Sequence, residues 1–140
     1  MKIIELTLLL FLIFIISSCI NSSTEVETKE LLNTLWKLEA FEIDGEIITP
    51  PVEQNYNIKF QSDSTFIGKS ACNNIGGNYE LEGDNSIIVT KLGTTFANCG
   101  EDSFYGAFYS AVHKLSSYYL HNNRLTLFYG NNSKLIFKAE

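Results

Sequence analysis

Trp36-Lys37-Leu38-Glu39-Ala40-Phe41-Glu42-Ile43-Asp44-Gly45-Glu46-Ile47-Ile48 is the stretch that decides the fold. Trp36, Leu38 and Ala40 alternate with Lys37 and Glu39, the period of two that sends successive side chains to opposite faces of a strand. Asp44-Gly45 then separates two strand-like runs. A two-residue hairpin turn needs positive φ at both central positions, which Gly adopts freely and Asp tolerates. Pro50-Pro51 closes the second run, because neither residue can donate to a ladder.

The same pattern recurs downstream, with turn residues every eight to twelve positions, as expected of an antiparallel all-β domain. Tyr56, Ile58 and Phe60 alternate with Asn57 and Lys59, and Gln61-Ser62-Asp63-Ser64 turns the chain into Thr65-Phe66-Ile67-Gly68. Gly77 to Leu81 and Ser86 to Thr90 flank Glu82-Gly83-Asp84-Asn85. Near the C-terminus, Tyr118-Tyr119-Leu120, Leu125 to Tyr129 and Lys134 to Phe137 are joined by Asn122-Asn123 and by Gly130-Asn131-Asn132-Ser133. These last runs are apolar on both faces, which predicts central or covered strands. Gly76-Gly77 precedes a strand pattern and reads as permission for a bulge or turn.

One segment follows a different period. From Ser103 to Leu115, Phe104, Phe108, Ala111 and Leu115 recur at helical spacing on one stripe, flanked by Ala107 and Val112. Asp102 is placed to cap this helix and Lys114 to meet the negative end of its dipole, while Gly106 weakens it by roughly 1 kcal/mol relative to Ala. A helix that buries one side must cover a sheet or plug a barrel end. The expected fold class is therefore mainly β with one helix (α+β): an antiparallel sheet with a single amphipathic helix that covers it or plugs the end of a barrel.

The length of 140 residues allows one domain plus its termini and excludes a two-domain enzyme. Sixteen acidic residues against ten basic ones, with no long basic run, argue against nucleic acid as a partner and against a membrane surface held by charge. Residues 6–16 place ten apolar side chains in eleven positions, so the mean hydropathy of +0.03 overstates the apolar character of the rest.

That apolar run reads as an export signal, with Lys2 before it and Ser17-Ser18 after it. As a helix it would span only about 16 Å, against roughly 30 Å of bilayer hydrocarbon. Ile16-Ser17-Ser18-Cys19 resembles the bacterial lipobox, in which the Cys is diacylglycerol-modified and becomes the mature N-terminus. Residues 1–18 are then the lipoprotein signal peptide, and 19–32 the lipidated N-terminus and flexible tether. The tether holds too few apolar groups to repay the entropy of ordering, and as a coil it would keep the domain on the order of 20 Å from the anchor. A plain secretory signal cut nearby is the competing reading. The globular domain is assigned to 33–140.

If lipid consumes Cys19, Cys72 and Cys99 remain as an even pair, and export permits a disulfide between them. Two buried free thiols are the alternative. The segments holding these cysteines resemble a known family. Cys72-Asn73-Asn74-Ile75-Gly76-Gly77-Asn78-Tyr79, then Thr95-Phe96-Ala97-Asn98-Cys99, then an aromatic helix and a closing Leu125-Thr126-Leu127 hairpin are similar to the META domain of HslJ-like heat-shock envelope lipoproteins. Trp36-Lys37-Leu38 fits the opening strand, and the similarity covers residues 33–138. Two positions depart from the family pattern: Ala71 stands where Gly is common, and Asn98 where Ala is usual. The resemblance implies a compact β-barrel-like sheet with a helix across it, and a role in envelope stress or antibiotic tolerance without an established reaction.

The sequence offers little catalytic chemistry. His113 falls opposite the apolar stripe and His121 abuts a turn, so both read as surface imidazoles. No nucleophile elbow, zinc-protease helix motif or phosphate loop occurs. Glu80, Glu82 and Asp84 read as a solvated strand edge that discourages intermolecular pairing, with weak Ca²⁺ binding as the alternative. The seven tyrosines stand out more. Those on strands fit the rim of a barrel core, while Tyr105 and Tyr109, on the flank of the helix, are the candidate partner surface. The expectation is a monomeric, non-enzymatic lipoprotein of the cell envelope, held at a membrane by its lipid anchor. It would have an envelope protein as partner, with no metal and no cofactor. Two alternatives compete: an inhibitor of a lysozyme or protease reaching with Asp63, Asp84 or Glu82, and a small-ligand carrier using the barrel interior.

Overall fold

The computed structural model describes residues 31–101 and 103–140. Their elements are β1 (Trp36–Ile43), β2 (Glu46–Ile48), β3 (Tyr56–Phe60), β4 (Thr65–Ser70), β5 (Asn73–Glu82), β6 (Ser86–Thr94), a helix α1 (Tyr105–His113), β7 (Leu115–His121), β8 (Arg124–Tyr129) and β9 (Ser133–Ala139). Every strand pairs antiparallel with its neighbour in the order β2-β1-β3-β4-β5-β6-β7-β8-β9, and β9 returns to pair with β1. Eight strands thus close a barrel, the form that the family resemblance implies. Strand β2 lies outside the ring: β1 gives Trp36 and Lys37 to β3 but Phe41 to Ile43 to β2 along the same edge.

The turns carry the backbone geometry read from their residues. Asp44 (φ 51°) and Gly45 (φ 87°) form the first hairpin, and Asn122 (φ 48°) and Asn123 (φ 58°) the β7–β8 hairpin. Gly77 serves a different purpose from the bulge or turn expected of it. A Cβ there would lie 1.9 Å from the Lys91 carbonyl oxygen, so its missing side chain lets β5 and β6 approach. The bulge itself falls one pair further on, between Asn78 and Tyr79, with Thr90 as the extra residue.

Inside the barrel, Trp36, Ile58, Phe60, Phe66, Ile87, Leu125, Leu127, Leu135 and Phe137 are all buried and fill the interior. The last three strands are not covered on both faces, contrary to the expectation from their composition. Leu125, Leu127, Leu135 and Phe137 point inward, while Tyr119 and Phe128 are exposed by 55% and 37%. A closed ring gives each strand one inner face, and the outer apolar groups meet solvent.

Several boundaries differ from the sequence reading: β5 begins at Asn73 instead of Gly77, and β6 runs to Thr94 instead of Thr90. Leu31 and Leu32, assigned to the tether, belong to the domain: Leu31 is fully buried and Leu32 bridges Phe60. The Trp36 indole N–H donates to the Leu31 carbonyl at 3.1 Å, so this segment seals the Phe60 end of β3. The helix is shorter than Ser103–Leu115, and Leu115 instead opens β7. Asp102 lies outside the described residues. The helix cap is Phe104, whose side chain cannot accept a bond; the Tyr56 hydroxyl accepts its N–H at 2.9 Å and Ser103 Oγ accepts the Tyr105 N–H at 3.1 Å. Lys114 is the C-cap.

Helix α1 plugs the end of the barrel opposite Leu31. Phe108, Ala111 and Val112 are buried, and the Phe108 ring meets Phe41, Tyr56 and Phe137 at centroid distances of 6.3, 5.4 and 6.2 Å.

Candidate functional site

At the helix-capped end, the chain between β6 and α1 is clamped to the start of β5. Cys72 and Cys99 are joined by a disulfide with a Cα–Cα distance of 5.4 Å. Beside it Asn73 is fully buried and uses both ends of its amide. Its Oδ1 accepts the Ala97 N–H at 2.7 Å and the Thr95 hydroxyl at 3.0 Å, and its Nδ2 donates to the Ala97 carbonyl at 3.0 Å. Thr95 completes the clamp. Its Oγ1 accepts the Asn74 N–H at 3.0 Å, and its own N–H donates to the Asn74 carbonyl at 3.1 Å. A buried amide with every group bonded is the arrangement in which polar burial costs least and orders most.

The two departures from the family pattern have simple local accounts. Ala71 holds a left-handed conformation, φ 56°, in which Gly avoids the Cβ clash. Asn98 makes an Asx turn, its Oδ1 accepting the Gly100 N–H at 3.1 Å.

Replacing Asn73 by Ala is expected to lower the unfolding free energy by about 1–2 kcal/mol, because it removes the buried side chain whose bonds to Ala97 and Thr95 hold the loop. Asn73→Asp keeps both acceptor bonds but loses the donor, and its charge is buried. Urea titrations at unchanged slope measure both. A loss below about 0.5 kcal/mol for Asn73→Ala would show that the clamp contributes nothing beyond the disulfide.

Clamping leaves one large side chain outside. Phe96 lies between the two held residues and is 89% exposed. Tyr105 and Tyr109 stand nearby as neighbours, ring centroids 6.1 Å apart and both half-buried. The Tyr105 hydroxyl lies 3.4 Å from Thr94 Oγ1, and the Tyr105 carbonyl accepts the Ser70 hydroxyl at 3.1 Å. The two helix tyrosines are thus brought together at the end of β6, next to the clamped loop. Asn73 and Phe96 were not singled out from the sequence. Asn73 has no alternation signal of its own, and the environment of Phe96 follows from the loop's tertiary anchors.

The other sequence candidates are spread apart. Cys19 lies outside the described residues. His113 and His121 are exposed, and His121 stacks on Tyr119 at 6.2 Å. Glu80, Glu82 and Asp84 are exposed along and beyond the end of β5. Asp63 is folded back on its own turn: its Oδ1 accepts the Thr65 amide and hydroxyl, which hold its carboxyl below the usual range. That carboxylate is occupied by its turn instead of reaching outward. Burial raises Tyr56, Tyr79 and Tyr129 above the ordinary phenol value, so all three are neutral donors and acceptors at pH 7. Among the described residues no group of three or more His, Cys, Asp or Glu is placed to hold a metal ion.

Known proteins share this architecture. A protein from Burkholderia xenovorans solved by NMR superposes with a TM-score of 0.67 at 20% identity, over 89% of this chain and 94% of the other. A second protein solved by NMR gives 0.59 at 19% identity, covering 79% and 92%. The crystal structure of a DUF4847-family protein from Bacteroides vulgatus gives 0.57 at 17%, covering 77% and 93%. No curated protein matches the sequence. The META domain model matches residues 29–140, which span the barrel, the Cys72–Cys99 clamp and the capping helix. This chain belongs to the META domain family.

Proposed function

We propose that this chain is a non-enzymatic lipoprotein of the bacterial cell envelope, anchored through Cys19, whose META domain binds a protein partner and supports envelope integrity under stress. The observation that carries the reading is the use of the three cysteines. Ile16-Ser17-Ser18-Cys19 has the lipobox pattern at the end of an export signal, and Cys72 and Cys99 are spent on each other, a bond that persists in an oxidising compartment.

The geometry favours binding over carriage. The barrel interior is packed with large side chains, whereas the helix end presents Phe96, Tyr105 and Tyr109 beside a rigid loop. The position of the anchor also supports this reading. The described chain enters at Leu31 and Leu32, against Phe60, whereas α1 meets Tyr56 at the opposite end of β3. A tether from Cys19 would therefore join the domain at the end remote from the helix and leave the clamped loop free of the attachment point.

Cys19→Ala is expected to abolish metabolic labelling with palmitate and to release the protein from the membrane fraction of the producing bacterium. A variant that is still labelled and membrane-bound would overturn the anchor.

A further inference from the structure

Strand β6 is paired along only part of its outer edge. Ser86 faces Ser117 of β7, and the Tyr118 N–H donates to the Asn85 carbonyl at 2.9 Å. From Val89 to Thr94 no strand lies along that edge among the described residues.

The direction of its backbone groups follows from two hydrogen bonds. Tyr79 N–H donates to the Ser64 carbonyl across β4–β5, and Thr95 N–H donates to the Asn74 carbonyl across β5–β6. Odd-numbered residues at this end of β5 therefore bond β4, and even-numbered ones bond β6. Bonded and non-bonded pairs alternate in an antiparallel ladder. Lys91 and Gly93, opposite Asn78 and Gly76, thus turn their amides toward β5, and Leu92 and Thr94 turn theirs away. A row of outward N–H and C=O groups is a template for another strand.

The side chains beside this row define what would fit. Tyr105 touches Thr94, Tyr109 stands one turn along the helix, and Phe96 projects just past the end of the strand. The disulfide and Asn73 hold Phe96 in place before any partner arrives, which reduces the ordering cost of binding. Lys91 is exposed and has no ion pair among the described residues.

We infer that the Val89–Thr94 edge receives an extended segment of a partner protein by strand addition. The incoming segment places apolar or aromatic side chains against Tyr105, Tyr109 and Phe96, and a carboxylate beside Lys91. Main-chain bonds to Leu92 and Thr94 supply affinity, and the aromatic groups and Lys91 supply selection. This rests on the partner-binding reading above and specifies its surface.

The test uses the full chain, oxidised, in mild detergent. In hydrogen exchange followed by NMR, the Leu92 and Thr94 amides exchange at least roughly tenfold faster than those of Lys91 and Gly93. Equal protection would mean that the edge is already covered and would overturn the inference. A phage-displayed library of linear peptides, selected on the same chain, yields acidic-aromatic sequences whose binding slows exchange at Leu92 and Thr94. Thr94→Pro removes an outward N–H without touching the bonds to β5 and weakens these peptides by roughly tenfold, while Thr94→Val, which keeps that N–H, does not. Lys91→Glu, a surface change that leaves the fold intact, weakens them by a similar factor at low salt. A library that yields no such peptide overturns the inference. A concentration-dependent dimer abolished by Thr94→Pro overturns it in favour of a second copy of this chain. Peptides that bind Thr94→Pro as tightly as the unaltered chain but fail on Tyr109→Ala overturn the edge while leaving partner binding at this surface standing.

Discussion

Phe108→Ala is expected to lower the unfolding free energy by about 3–5 kcal/mol, the range for removing a fully buried aromatic ring without refilling its space. The ring is completely shielded from solvent and lies among Phe41, Tyr56 and Phe137, which come from β1, β3 and β9. It is thus the contact through which α1 holds three separate strands. Those strands are tied to their neighbours by ladder bonds and cannot collapse inward, so the void persists and the loss falls toward the upper end. Phe108→Leu, which keeps most of the apolar volume, is expected to cost about 1–2 kcal/mol. Urea unfolding gives both values. Exchange of the amides of residues 108–113 should rise in the Ala variant before that of the barrel strands, because the helix loses its hold locally. A loss under about 1 kcal/mol would mean that the helix lies over a barrel already sealed without it.

Removing the disulfide has an effect of similar size by a different route. Cys72 and Cys99 are separated by 27 positions, and closing a loop of that length restricts the unfolded chain by roughly 3–4 kcal/mol. Cys72→Ala with Cys99→Ala should lose about that much, and the transition should stay cooperative, because a domain of this size commonly has about 5–15 kcal/mol to lose. The folded loop should keep its path, since Asn73 and Thr95 bind residues 95–97 independently of sulfur. The two clamps act on the same segment, so the variant lacking both cysteines and Asn73 should lose more in total than the sum of the separate losses. Denaturant titrations of the four variants close the cycle. Strict additivity would show that the amide and the disulfide hold the loop independently.

The strands and turns were legible because they are written locally. Alternation at Trp36–Ala40 and Tyr56–Phe60 reports which side chains face inward. Asp44-Gly45 and Asn122-Asn123 report turns whose positive φ values few other residue pairs accept. The helix was legible by its period, but its ends were not. Leu115 continues the apolar stripe by spacing, yet it begins β7, since a residue at a helix–strand junction satisfies both patterns. Leu31 and Leu32 were read as tether because two adjacent leucines carry no period, and only the Phe60 end of the barrel gives them a place.

The site was less legible. Tyr105 and Tyr109 were found by composition and helical spacing. Asn73 on one side of the clamp and Thr95 and Phe96 on the other, which give their surroundings meaning, lie more than twenty positions apart, and they entered the sequence reading only within the segments that resemble the family. An Asn in a loop and an Asn sealed under a loop look alike in one dimension, because burial is set by what the rest of the chain lays over it. The same holds for the outer edge of β6. Only its first part, Ser86 to Thr90, was read as strand, and its missing neighbour depends on β7 beginning at Leu115 and meeting β6 only near Ser86.

The amino-acid order alone determined the strand and turn pattern and the helix face, since each depends on residues within a few positions of one another. Tertiary structure alone decided that eight strands close into a ring, that Phe108 and Leu31 stopper opposite ends, and that Asn73 locks the loop carrying Phe96. Those outcomes arise from contacts between residues distant in the chain, whose energies exist only after the backbone has brought them together.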